Sequence, residues 1–188
     1  MDNNLIPYQP VISDIKNLIT VGQNVAYNAA NRAMIMTYWN IGKRIVEEVQ
    51  SGAERAEYGK RLIPVLSAEL TKEFGNSYSS RNLHYYRKFY HCFPDSEILN
   101  TRVQNLNWSH FRALLRVSDE DARVWYMNEA TNGNWSVRTL DRNIGTQYYY
   151  RLLHSPKKEA VMAEMKEKTA AEPKHQFELL KSLSLIHI

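Results

Sequence analysis

The stretch from Leu66 to Tyr90 constrains this chain more than any other part of it. Leu66, Leu70 and Phe74 recur every four residues, so on a helix they share one face that can meet a core. Gly75 then stands where a helix end needs a left-handed residue, and Ser79 or Ser80 can accept the free amide protons at the start of the next helix. On that second helix Leu83, Tyr86 and Tyr90 form an inward stripe. Arg81, His84, Tyr85 and Lys88 fall on the opposite side, with Arg87 at its edge. Two helices joined by a short glycine turn have the outline of a helix-turn-helix.

The outer face of the second helix carries cations and aromatics and no carboxylate. Such a face suits a polyanion: Arg and Lys neutralise phosphates and release counterions, and Arg also reads guanine edges. Arg81, His84, Tyr85, Arg87 and Lys88 are therefore the candidate nucleic-acid-binding residues, with the cations on phosphates and Tyr85 or His84 available for stacking or base edges. The competing reading is a solvated face or a protein contact, because helix-turn-helix shapes serve both.

Little else in the composition narrows function. A net charge of +4 permits an acidic partner without demanding one, and 44% hydrophobic residues favour folding over disorder. The single cysteine, Cys92, excludes an internal disulfide or a multi-thiolate metal site, and it fits a reducing, cytoplasmic setting. No apolar run approaches the roughly 20 residues that span a bilayer, and the start lacks signal-peptide features, so no membrane partner is expected. Alternating apolar patterns are rare, which favours an all-α domain.

Taken in order, apolar residues recur at helical spacing from Val11 through Ile15, Leu18, Val25, Ala29, Met36, Ile41 and Ile45 to Val49. They predict one long N-terminal helix, bent at Gly22 or Gly42 and ended by Ser51 and Gly52. Unbroken, it would reach about 60 Å, longer than a small domain is wide, so part of it should meet something else. Met34, Met36, Tyr38 and Trp39 read as core or dimer surface. Pro64 should stand in the first turn of its helix, which would then start near Gly59 or Lys60. Pro94 marks a loop, after which Ile98, Leu99 and Val103 could supply the extended segment of a winged helix.

Two related phrases follow, Asn107-Trp108-Ser109-His110 and Asn134-Trp135-Ser136-Val137. In each, Ser can cap a helix while Trp folds back on the first turn, with Leu140 as partner for Trp135. Ser118 to Asp121 has capping-box spacing and opens a helix carrying Ala122, Trp125, Tyr126 and Ala130. One last core helix carries Val137, Leu140, Ile144, Tyr148 and Leu152. His110 at a capped helix start could meet a phosphate. Arg112, Arg116, Arg138, Arg142 and Arg151 either extend a nucleic-acid track or pair with Asp119, Asp121 and Asp141.

Catalytic signatures are missing: there is no Walker loop, dinucleotide fingerprint, zinc-protease motif or nucleophile elbow. The letters of a PD-(D/E)XK site occur at Pro94-Asp95, Glu164-Met165-Lys166 and Glu172-Pro173-Lys174, none in a strand-like setting. Arg87 and His91 stand too close for the Arg/His pair of a helical ribonuclease. Neither catalysis nor a cofactor is expected within this chain.

With these phrases placed, the chain resembles the N-terminal domain of the YhcG-type family of PD-(D/E)XK nucleases, over most of residues 5 to 180. The resemblance rests on Tyr38-Trp39-Asn40-Ile41-Gly42, Tyr58-Gly59, Leu66-Ser67 with Leu70, Gly75 with Tyr78-Ser79, Asn82-Leu83, Phe89-Tyr90, Trp108-Ser109-His110 and Trp135-Ser136-Val137. It implies a bacterial, helical, winged-helix or helix-turn-helix domain that binds nucleic acid ahead of a separate nuclease domain, with the helix from Ser80 to Tyr90 as the recognition helix. Pro64 departs from the family pattern.

The expected organisation is a helical domain over 1–172, a linker or the start of an absent nuclease domain over 173–182, and Leu183 to Ile188 as a translated sequencing adapter. The function expected is non-catalytic targeting of duplex DNA, with the nuclease domain and a second copy as further partners. The rival is an interaction module whose long first helix dimerises or docks the nuclease. An uncovered apolar face on residues 25–49 would favour that rival, and a contiguous basic track through Arg81 and Lys88 would favour DNA.

Overall fold

The structure, a computed structural model, describes residues 8–50, 56–97, 99 and 106–170. Among these, the chain forms eight α-helices and no strand: α1 Gln9–Gln50, α2 Ala56–Phe74, α3 Ser80–Cys92, α4 Trp108–Leu114, α5 Glu120–Asn132, α6 Val137–Gly145, α7 Tyr148–His154 and α8 Lys158–Ala170. A 3-10 turn, Asn76–Tyr78, joins α2 to α3. The all-α expectation holds. The proposed wing does not appear in the described residues: Leu99 is helical and buried, while Ile98 and Val103 lie outside them. The linker and adapter segments, 173–188, also lie outside them.

Two apolar clusters organise these helices, and α3 serves both. Its Leu83 and Tyr86 join Ile45 of α1 and Ile63 of α2 in the smaller cluster. Its Phe89 joins Ile35 and Trp39 of α1 with Phe111, Tyr126, Leu140, Tyr148 and Met165 in the larger one. Phe89 belongs to the inward stripe along with Leu83 and Tyr86, and Tyr90 is only half-buried. Trp108 reaches both clusters, 5.3 Å from the Tyr86 ring and 5.4 Å from Phe89. Each fully buried large side chain contributes roughly 1.5–3 kcal/mol of transfer free energy, so α3 is anchored in both clusters by Leu83, Tyr86 and Phe89.

Helix α1 runs unbroken through both glycines, about 63 Å at 1.5 Å per residue. Gly42 does not interrupt it. A Cβ there would fall 2.6 Å from the Tyr86 carbonyl carbon and closer still to its oxygen, so Gly42 is the point where α1 and α3 cross. Trp39 secures the crossing by donating its indole N–H to the Phe93 carbonyl at 2.7 Å. Tyr38 stacks on Tyr86 at 4.3 Å.

Several local expectations are corrected. Pro64 stands in the middle of α2, because that helix starts at Ala56. Its ring lies on an exposed face, where the Lys60 carbonyl that loses its partner can turn to water. Phe74 is exposed, and its ring lies edge-on to that of Tyr78 at 5.8 Å. Asn107, not Ser109, caps α4 by accepting from the His110 amide at 3.2 Å. Asp119, not Ser118, caps α5 by accepting from the Ala122 amide at 3.0 Å. Ser136 caps α6 as expected. The single last helix divides into α6 and α7, because Gln147 takes a left-handed conformation, φ 55°.

Candidate nucleic-acid interface

The turn before α3 is built to hold that helix. Gly75 has φ 84°, a value costly for any residue with a Cβ. Its amide donates to the Thr71 carbonyl at 3.0 Å, closing α2. Ser79 occupies the cap position of α3 but makes no side-chain cap bond. The turn is tied from the other side instead: the buried Tyr86 hydroxyl donates to the Ser77 carbonyl at 2.8 Å, and Asn82 donates to the Asn76 carbonyl at 3.2 Å. Burial pushes the Tyr86 phenol far above its ordinary range. It therefore serves as a neutral hydrogen-bond donor.

With its inner face so anchored, α3 presents the five predicted residues outward. Arg81, His84 and Lys88 are exposed, and Tyr85 and Arg87 are half-buried. The structure places them on two adjoining edges. Toward α4, the Tyr85 ring lies 6.0 Å from the Arg81 guanidinium and 5.1 Å from that of Arg112. Hydrogen bonding to Arg81, and after it to Arg112, holds the Tyr85 hydroxyl below the ordinary phenol value.

Toward α1, His84, Arg87, Lys88 and His91 line a groove of about 490 Å³ whose apolar wall is Val46 and Val49. Among the described residues no carboxylate lines it. The two edges meet through His84, Lys88 and Arg81, which follow one another around the exposed side of α3. Arg112 and His91 are thus site residues beyond the five. His91 was legible, since it stands seven residues after His84 and so shares its face. Arg112 was not, because only the packing of α4 on α3 brings it to Tyr85.

Of the later arginines, Arg116, Arg142 and Arg151 have partners within the fold, as does His110, and Arg138 is exposed. Arg116 pairs with Asp141. Arg142 donates to the Lys168 carbonyl at 3.0 Å, and Arg151 pairs with Glu164 at 2.5 Å. His110 is fully buried, with its ring between the Asn107 amide and the Trp135 carbonyl, so it does not face a phosphate. Of the nuclease-like letters, Asp95 accepts from the Glu97 amide and Glu164 bonds to Arg151 and Lys168. Residues 172–174 lie outside the described residues. Cys92 is half-buried and free. Among the described residues no three His, Cys, Asp or Glu side chains gather as a metal site, and no helix is long and apolar enough to cross a membrane.

The family model described as the DUF1016 N-terminal domain matches residues 14–151, from the second turn of α1 into α7. A protein of Escherichia coli (strain K12) named "Putative nuclease YhcG" is 33% identical over 184 residues, an alignment covering 82% of this chain and 49% of the relative. The chain thus spans about half the length of that relative. No solved structure matches. The matched region includes the glycine crossing of α1 on α3, the helix-turn-helix unit and both Asn-Trp-Ser phrases, and the chain belongs to the DUF1016 N-terminal domain family of YhcG-type proteins.

Proposed function

We propose that this chain is a non-catalytic nucleic-acid-binding domain that positions a nuclease domain on duplex DNA. The observation that carries this reading is the acid-free surface of α3, continuous from the groove at His91 and Arg87 through Lys88 and His84 to Arg81, Tyr85 and Arg112. Cations on a rigid helix neutralise phosphates, and a Tyr ring held by two guanidiniums offers a flat face to a base. A helix anchored on two apolar clusters holds those groups in a fixed register, which recognition in a groove requires. The nuclease part of the reading rests on the name of the relative, which is about twice as long as this chain.

Duplex binding measured against salt tests this directly, with the wild-type chain beside Arg81→Ala/Lys88→Ala. The expected result is a steep salt dependence whose log–log slope flattens by roughly 0.9 for each phosphate contact removed. A folded wild type that does not bind at low salt, or identical curves for the two proteins, overturns it.

A further inference from the structure

Among the described residues, the first half of α1 packs far less on the domain than its second half does. Among residues 8–30 none is buried, yet Val11, Ile15, Leu18 and Val25 are 57%, 50%, 71% and 64% exposed. Gly22 and Ala29 complete their spacing, which alternates four and three from Val11 to Ala29. That alternation is the a/d seam of a coiled coil, sustained here for nearly three heptads. At 3.6 residues per turn this stripe is rotated by roughly 100° from Ile35, Trp39, Gly42 and Val46, the residues that seat α1 on the domain. It is therefore a separate face, turned away from α3.

We propose that this stripe pairs with the same stripe of a second copy, making the chain a dimer through the first half of α1. A seam apolar at both positions complements itself. Asp14 and Lys16 are the only charged residues between positions 8 and 31, so like charges do not oppose self-pairing. Tyr8 and Ile19, 62% and 55% exposed, widen the strip. Six such side chains per copy, at roughly 60–120 Å² each, give about 700–1,400 Å² for the pair, a range that includes the ~1,000 Å² expected of a specific interface. The inference stands apart from nucleic-acid binding, since its residues lie on neither edge of α3.

Sedimentation velocity of the whole chain over a dilution series tests it. The expected result is a dimer that dissociates on dilution. Leu18→Glu should weaken association by more than about tenfold, with the helical circular dichroism retained because the side chain is exposed. Val65→Glu, at a 60% exposed site on α2, should leave association unchanged. Leu18 lies near the middle of the stripe and so faces its own copy in either orientation. Leu18→Cys in a Cys92→Ser background should then form an oxidised dimer. A wild type monomeric at every concentration, Leu18→Glu dimerising like wild type, or a dimer that Leu18→Cys fails to cross-link would each overturn the proposal.

Discussion

His110 and Trp135, one from each of the two Asn-Trp-Ser phrases, are joined by a 2.9 Å hydrogen bond from the imidazole Nε2 to the tryptophan carbonyl. Because a carbonyl only accepts, this bond requires a proton on Nε2, while the backbone amide and the side-chain oxygen of Asn107 lie 3.1 Å and 2.9 Å from Nδ1 of the same ring. Phrases that look like two copies of one cap are therefore two halves of one junction. Asn107 caps α4, whereas Asn134 takes a left-handed conformation, φ 48°, between α5 and α6.

His110→Ala would leave the Trp135 carbonyl and the Asn107 amide without this partner and open a void in a fully buried site. A loss of about 2–4 kcal/mol is expected from an urea unfolding curve with unchanged slope.

Gly42→Ala would push a methyl group into the Tyr86 backbone, which cannot yield as a side-chain tip can. The α1–α3 crossing must open, at a cost of about 1–3 kcal/mol. Gly22→Ala meets nothing within 4 Å and should stabilise the helix by about 0.5–1 kcal/mol. Paired thermal melts of the two variants should move in opposite directions.

Pro64→Ala restores an amide to the exposed middle of α2. The regained bond to the Lys60 carbonyl and the relief of the ring clash should stabilise the protein by about 1–3 kcal/mol. Chemical denaturation would show this as a raised midpoint.

Glu164 of α8 accepts from Arg151 of α7 at 2.5 Å, from Lys168 at 2.6 Å and from the Tyr148 hydroxyl at 3.1 Å. Chiefly through Arg151, its pKa is lowered from 4.5 to about 2. A carboxylate lowered on folding stabilises fully above its unfolded pKa and loses that contribution as pH falls through the folded one. Melting temperatures should therefore decline between pH 4.5 and about 2. Glu164→Gln should remove this part of the decline, a modest part because the cluster is solvent-exposed and screened.

Tyr85 should titrate below its ordinary value of 10.0 while Arg81 and Arg112 flank it. Replacing Arg81 by Ala should raise the titration midpoint more than replacing Arg112, as read by NMR of ring-labelled tyrosine. Equal midpoints in wild type and both variants would dissolve the cluster on that edge of α3.

The helices, the turn at Gly75 and the outer face of α3 were legible in the sequence because each is a local matter of spacing. Three- and four-residue recurrences put Leu83 and Tyr86 inside and Arg81, His84 and Lys88 outside whatever α3 packs against. Which of several capping residues closes a helix was not legible, since Asn107, Ser109, Ser118 and Asp119 all have suitable chemistry and backbone geometry selects among them. Nor was the division of α1 into two faces, because one run of helical spacing from Val11 to Val49 drifts around the helix and only the crossing at Gly42 shows which part meets the domain. Tertiary packing alone also set Arg112 beside Tyr85, the Val46–Val49 wall against His84 and His91, and His110 under Trp135. Those pairs are distant in the chain, and a contact between distant residues depends on how whole helices cross, a quantity that periodicity does not encode.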